Sequence, residues 1–107
     1  MSMKHEVLKN SGFMLILFFS LAACSVTPKP TTQMIFASAA MKAAAYVNAE
    51  RLAPDEFRRA ENAFWQAKKY YMLKEFQLAE KYAKHTQRLA EDAEVKAEIK
   101  AMTTNSF

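Results

Sequence analysis

Ala53-Pro54-Asp55-Glu56-Phe57 opens the stretch that decides the fold, and Tyr71-Met72-Leu73-Lys74-Glu75-Phe76 closes its first half. Proline disfavours the helical conformation at Ala53 and is comfortable itself at a first helical position, where no amide hydrogen is needed. Asp55 and Glu56 then fall in the first turn, where the helix dipole favours negative charge. From there Phe57, Ala60, Phe64, Ala67 and Tyr71 recur at steps of three and four, one face of an amphipathic helix. A second run, Phe76, Ala79, Ala83, Thr86, Ala90, Ala93 and Ala97, keeps the same rhythm.

The phase between the two runs sets the architecture. Continuing the first stripe past Tyr71 lands on Lys74, Leu78, Lys81 and His85, which is mostly polar. The register therefore slips near Leu73-Lys74-Glu75. A hairpin turn there explains the slip, and so does a stutter in one long rod. Antiparallel packing favours the hairpin, because it sets Phe64 and Tyr71 beside Phe76 and Ala83 with alanine gaps between them. The expected fold is all-α: an antiparallel hairpin of about 54–72 and 75–101, with a preceding helix of about 32–52, two to three helices in all.

For that preceding helix, Thr31 or Thr32 offers a capping oxygen. Phe36, Ala39, Ala40, Ala43, Ala44 and Val47 give its apolar stripe. The single glycine of the chain is Gly12, so everything beyond it is glycine-free, and alanine is abundant after residue 36. Alanine is the best helix former and glycine among the worst.

The N-terminal segment has a different character. Lys4 and Lys9 precede an apolar run, Phe13 to Leu21, and then Leu21-Ala22-Ala23-Cys24. The run is about 10 residues long, whereas a bilayer span needs about 20. A basic head, a short apolar core and small residues at a cut site make up a secretory signal. The last four residues resemble the lipobox of bacterial lipoproteins. That resemblance implies a diacylglycerol on the Cys24 thiol, cleavage before Cys24 and often acylation of the new amine. Two or three acyl chains anchor stably where one does not, at about 0.8 kcal/mol per buried CH₂. Cys24 is the chain's only cysteine, so it has no disulfide partner. In lipoproteins of enteric-type bacteria an Asp after the cysteine tends to hold the protein in the inner membrane; Ser25 stands there instead, so the resemblance implies the outer membrane, facing the periplasm. The expected organisation is a signal peptide at 1–23, an acylated cysteine and tether at 24–31, a helical domain at 32–102 and a frayed tail at 103–107. Pro28 and Pro30 favour an extended tether that could hold the domain up to about 25 Å off the bilayer.

The helical part carries its own resemblance. Ala53-Pro54-Asp55-Glu56-Phe57, Ala60, Ala63, Ala67, Lys74-Glu75-Phe76, Ala79, Ala83, Leu89-Ala90 and Ala93 resemble a family of small bacterial lipoproteins known as domain of unknown function 4398. They are also similar in rhythm to a tetratricopeptide repeat. The likeness covers roughly residues 36–97 and implies a helical hairpin, or three helices, on a lipid anchor. Lys74 stands where that family often has glycine. The resemblance carries over no catalytic residue.

Candidates for chemistry are few. His85 is the one histidine after the signal, and catalytic or metal sites need further partners within reach. Glu91, Asp92, Glu94 and Glu98 form an acidic run on a lysine-rich helix. Asp92 with Lys96 and Glu80 with Lys84 have the spacing of helical ion pairs, so the run reads as a solvated face. No metal site, no catalytic site and no cofactor beyond the lipid on Cys24 are expected. The net charge of +4 is interspersed with acids and does not demand a nucleic acid.

Trp65, Lys68, Lys69 and Tyr70 stand apart, because they fit the core stripe poorly. Aromatics beside lysines serve as a lipid-interface patch, a sugar-stacking surface or an anchor for a protein partner. The alternative is that Trp65 and Tyr70 pack beneath the first helix. The expected function is that of a lipid-anchored, non-catalytic envelope module that binds or scaffolds, through this patch and the alanine stripes. The rival is a structural lipoprotein that self-associates or binds the cell wall.

Overall fold

The computed structural model describes residues 28–105, so the expected signal peptide at 1–23, Cys24 and Ser25, and the last two residues of the expected tail lie outside the described residues. Within them the chain forms four helices: α1 (Thr31–Tyr46), α2 (Ala49–Leu52), α3 (Pro54–Met72) and α4 (Phe76–Asn105). No strand occurs among the described residues, and the fold is all-α as expected.

The hairpin is real, and its turn is made by Lys74. Lys74 adopts a left-handed conformation at φ 60°. Its amide donates to the Tyr71 carbonyl at 3.1 Å, and the Glu75 amide donates to the Tyr70 carbonyl at 2.9 Å. That pair of bonds is the Schellman arrangement, which satisfies carbonyls left open at the end of α3. Glycine is the usual residue at such a position because it has no Cβ to clash. The slip in stripe phase at 73–75 is therefore a chain reversal and not a stutter.

Four positions depart from the sequence expectation. The helix expected over 32–52 breaks at Val47-Asn48, where Asn48 is left-handed at φ 60° and its amide bonds the Ala45 carbonyl at 3.1 Å. α1 begins at Thr31, with Pro30 at the cap and no side-chain capping bond, so neither threonine caps it. Thr31, expected outside the helix, is thus its first residue, and Pro30 is already buried. At the other end α4 runs on to Asn105, past the expected end near 101. There Thr103 and Thr104 donate their hydroxyls back to the Ile99 and Lys100 carbonyls, so residues 103–105 are helical and not frayed.

α3 starts as Pro54 dictates. Ala53 is non-helical at φ −137° and ψ 61°, and the Phe57 amide makes the first helical bond to the Ala53 carbonyl at 2.9 Å. The buried residues of α3 are Phe57, Ala60, Ala63 and Ala67. Those of α4 are Ala79, Ala83, Thr86, Ala90, Ala93 and Ala97, the expected stripe apart from Phe76, which is half-buried. In α1 the stripe is rotated. Ala37, Ala40 and Ala44 are buried, while Phe36 and Ala39 are exposed.

These stripes meet in two clusters. Ala37, Ala67 and Ala83 form one, flanked by Met34, Phe64 and Tyr82. Ala40, Ala44, Ala49, Ala53, Phe57, Ala60, Ala90, Ala93 and Ala97 form the other, flanked by Met41, Val47, Leu52 and Leu89. The pairing of Ala67 with Ala83, and of Phe57 with Ala93 and Ala97, makes α3 and α4 antiparallel. α1 runs parallel to α4, from the first cluster towards the second. A buried methyl contributes only about 0.8 kcal/mol. The alanines act mainly by letting helices approach, while the longer flanking side chains close the seams. Among the described residues the largest fully buried side chain is Thr86, whose hydroxyl donates to the Tyr82 carbonyl at 2.7 Å. The buried alanines of these stripes are covered by helices of their own chain.

Candidate functional site

Trp65, Lys68 and Lys69 lie on the outer face of α3, two turns and less from its C-terminal end. Successive helical residues are about 100° apart, so steps of three, four and seven return to one face. Trp65, Lys68, Lys69 and Met72 share that face, and Leu73 follows at the turn. Together the five line an open groove of about 380 Å³. Trp65 is 69% exposed, Met72 81% and Leu73 61%, so large apolar side chains stand in solvent beside two cations. Trp65 does not pack beneath the first helix.

Lys68 covers part of this surface. Its Nζ lies 4.2 Å from the Phe64 ring centroid and 5.1 Å from that of Trp65. Cation–π attraction and an apolar stem laid along the rings hold the ammonium over the patch and leave its outer side to water. Lys69 Nζ sits 5.6 Å from the Tyr70 centroid.

Tyr70 belongs elsewhere. It lies about 140° round the helix from Trp65. Its ring stacks on Tyr82 of α4 at 5.3 Å, with an interplanar angle of 17°. One turn-forming contact beside it, Tyr71 edge-on to Phe76 at 5.9 Å, closes the hairpin tip. The structure thus keeps Trp65, Lys68 and Lys69 together, gives Tyr70 a packing partner, and adds Met72 and Leu73. The sequence signal for Met72 was its spacing of seven from Trp65.

The other candidates are dispersed. His85 is exposed and lines a shallow groove between α3 and α4 with Arg59, Asn62, Gln66, Tyr82 and Leu89. Glu91 accepts a hydrogen bond from Gln87 at 3.0 Å, and Glu91, Asp92 and Glu98 are exposed. Glu80 pairs with Lys84 at 2.7 Å, as the spacing implies. Lys96 does not pair with Asp92. It reaches across to Glu56 in the first turn of α3. That hydrogen bond, aided by the backbone amide of Glu56 itself, holds the Glu56 carboxyl below the usual glutamate range. Among the described residues no group of three or more His, Cys, Asp or Glu is placed to hold a metal ion. None of the described helices is long and apolar enough to cross a membrane.

The family described as a domain of unknown function (DUF4398) matches residues 32–105, nearly the whole of the described bundle. No curated protein and no solved structure matches the chain.

Proposed function

The chain belongs to the DUF4398 family, and from that premise we propose that it is a lipid-anchored, non-catalytic module of the bacterial cell envelope that binds through the tip of its helical hairpin. The observation that carries this reading is the exposed Trp65–Met72–Leu73 surface flanked by Lys68 and Lys69. Large aromatic and apolar side chains held in solvent on a bundle whose own core is complete are typical of contact surfaces. The lipobox-like Leu21-Ala22-Ala23-Cys24 supplies the second half, an acylated Cys24 held in the outer membrane with the domain in the periplasm. The mechanism is confinement. The lipid keeps a small rigid surface near the bilayer and raises its effective concentration for whatever it meets there.

Val95 and Ile99, one turn apart on α4 and both more than half exposed, favour a second reading in which copies of the chain associate through the far half of that helix. Photocrosslinking in the native envelope separates the two. A crosslinker placed at Trp65 captures membrane or partner material under the first reading. One placed at Ile99 yields a homo-oligomer ladder under the second. Equal, background-level capture at Trp65 and at the exposed control position Glu91 contradicts the hairpin-tip surface.

A further inference from the structure

The end of the bundle that carries the exposed patch is also the end at which the chain enters it. Met34, in the first turn of α1, packs on the cluster of Ala37, Ala67 and Ala83. Further along α1, Ala40 and Ala44 join Phe57, Ala90 and Ala97 at the opposite end of the hairpin. From Ala37 back to Thr31 the helix rises about 9 Å, and from Ala67 on to Met72 about 7.5 Å, at 1.5 Å per residue. Thr31 and Met72 therefore finish at about the same level. Pro30 is buried against the bundle, so little slack remains before it. The residues between Cys24 and Pro28 span at most about 14 Å.

Resting on the anchored reading above, we infer that the hairpin tip seats on the membrane surface itself, with Trp65, Met72 and Leu73 in the headgroup boundary and Lys68, Lys69 and Lys74 against anionic lipid headgroups. A Cys24 acylated in the bilayer brings this end of the bundle, and not the far end of α4, within reach of the lipid. The tip has the chemistry that such a boundary selects. An indole and two flexible apolar side chains bury in it, and lysines around them meet negative headgroups. Lys29 adds a further exposed cation beside Pro30, and Glu75 is the exposed acid at the turn. The contact fixes the orientation of the domain, standing it tip-down with the C-terminal half of α4 directed away from the bilayer.

Trp65 is the only tryptophan in the chain, so its emission reports this site alone. The full processed chain, extracted from membranes, is reconstituted into phosphatidylcholine vesicles with or without phosphatidylglycerol, using bromine-labelled acyl chains as quencher. Trp65 emission is expected to shift to the blue and to fall roughly twofold in the anionic vesicles, with the response weakened by salt and by the double substitution Lys68→Glu with Lys69→Glu. Both lysines are exposed, and circular dichroism checks that the variant stays helical. The mass of the same sample reports the lipid on Cys24, so the two ideas fail separately. A water-like, unquenched Trp65 on a chain with lipidated Cys24 overturns the tip contact alone. A quenched Trp65 on a chain with unmodified Cys24 supports the tip contact and overturns the anchor. A blue shift that grows with chain density and ignores the bromine label overturns the tip contact in favour of a second copy on the groove.

Discussion

Lys96, well along α4, donates a hydrogen bond to Oε1 of Glu56 in the first turn of α3, forty residues away in sequence. The bond ties the open end of the hairpin, where no turn holds the helices together. It also draws the carboxylate to a place the α3 dipole already favours. The Glu56 carboxyl titrates below its usual range because Lys96 stabilises the charged form. A carboxyl depressed in the folded state adds stability above its unfolded pKa and loses it as pH falls through the folded one. Replacing Glu56 by Gln should therefore lower the urea midpoint at neutral pH. The gap to the wild type should close at acid pH and narrow in high salt, because the pair is solvent-accessible and readily screened. Urea titrations at neutral and acid pH check this.

Lys74 holds a left-handed conformation that costs a side-chain-bearing residue about 1–2 kcal/mol. Lys74→Gly should raise stability by roughly 0.5–1 kcal/mol, since it relieves that clash, partly offset by glycine's greater freedom in the unfolded chain. Lys74→Val should lower it by more than that, because a branched side chain fits this conformation worst. Thermal melts of the pair give opposite shifts if the Schellman turn closes the hairpin, and two downward ones, larger for glycine, if 73–75 were continuous helix.

Ala37 is fully buried, whereas Ala39, two positions on, is exposed. A leucine at position 37 should destabilise by about 1–3 kcal/mol through overpacking. A leucine at position 39 should stay within about 0.5 kcal/mol of wild type. Chemical denaturation of both variants tests how α1 is rotated on the hairpin.

Tyr70 stacks on Tyr82, while Trp65 stands in water. Tyr82→Ala should cost roughly 2–4 kcal/mol, combining the lost stack with the gap it leaves. Trp65→Ala should leave stability nearly unchanged and act on membrane or partner contact. Melting and vesicle-binding measurements on the two variants should separate along those lines.

The long stripe of α4 was legible because it packs against α1 and α3 at once and places one small residue every three or four positions, from Ala79 to Ala97. α1 was not legible in phase. Alanines at 37, 39, 40, 43, 44 and 45 cover most of its circumference, so spacing cannot choose among them, and Phe36 pulled the reading one step round. The break at Asn48 carries no glycine or proline. Asparagine tolerates the left-handed conformation, and Ala49 and Ala53 beyond it are buried in the core. The Lys96 pairing was illegible for a related reason. Sequence spacing offers Asp92, and only the antiparallel register brings Glu56 within reach. In the candidate site Trp65, Lys68 and Lys69 were found as residues that escape the stripe. Tyr70 escapes it too, yet on the side where α4 supplies a second ring.

On the function proposed above, this bundle works while held at a membrane by Cys24. The mass of the intact mature chain, extracted from the membrane fraction, tests it most directly. A chain that begins at Cys24 and carries a diacylglycerol, with or without a further acyl chain, is the predicted result, and Cys24→Ala should lose both the cleavage and the lipid. A chain that retains residues 1–23, or one that begins elsewhere with no lipid on Cys24, would overturn the lipid anchor.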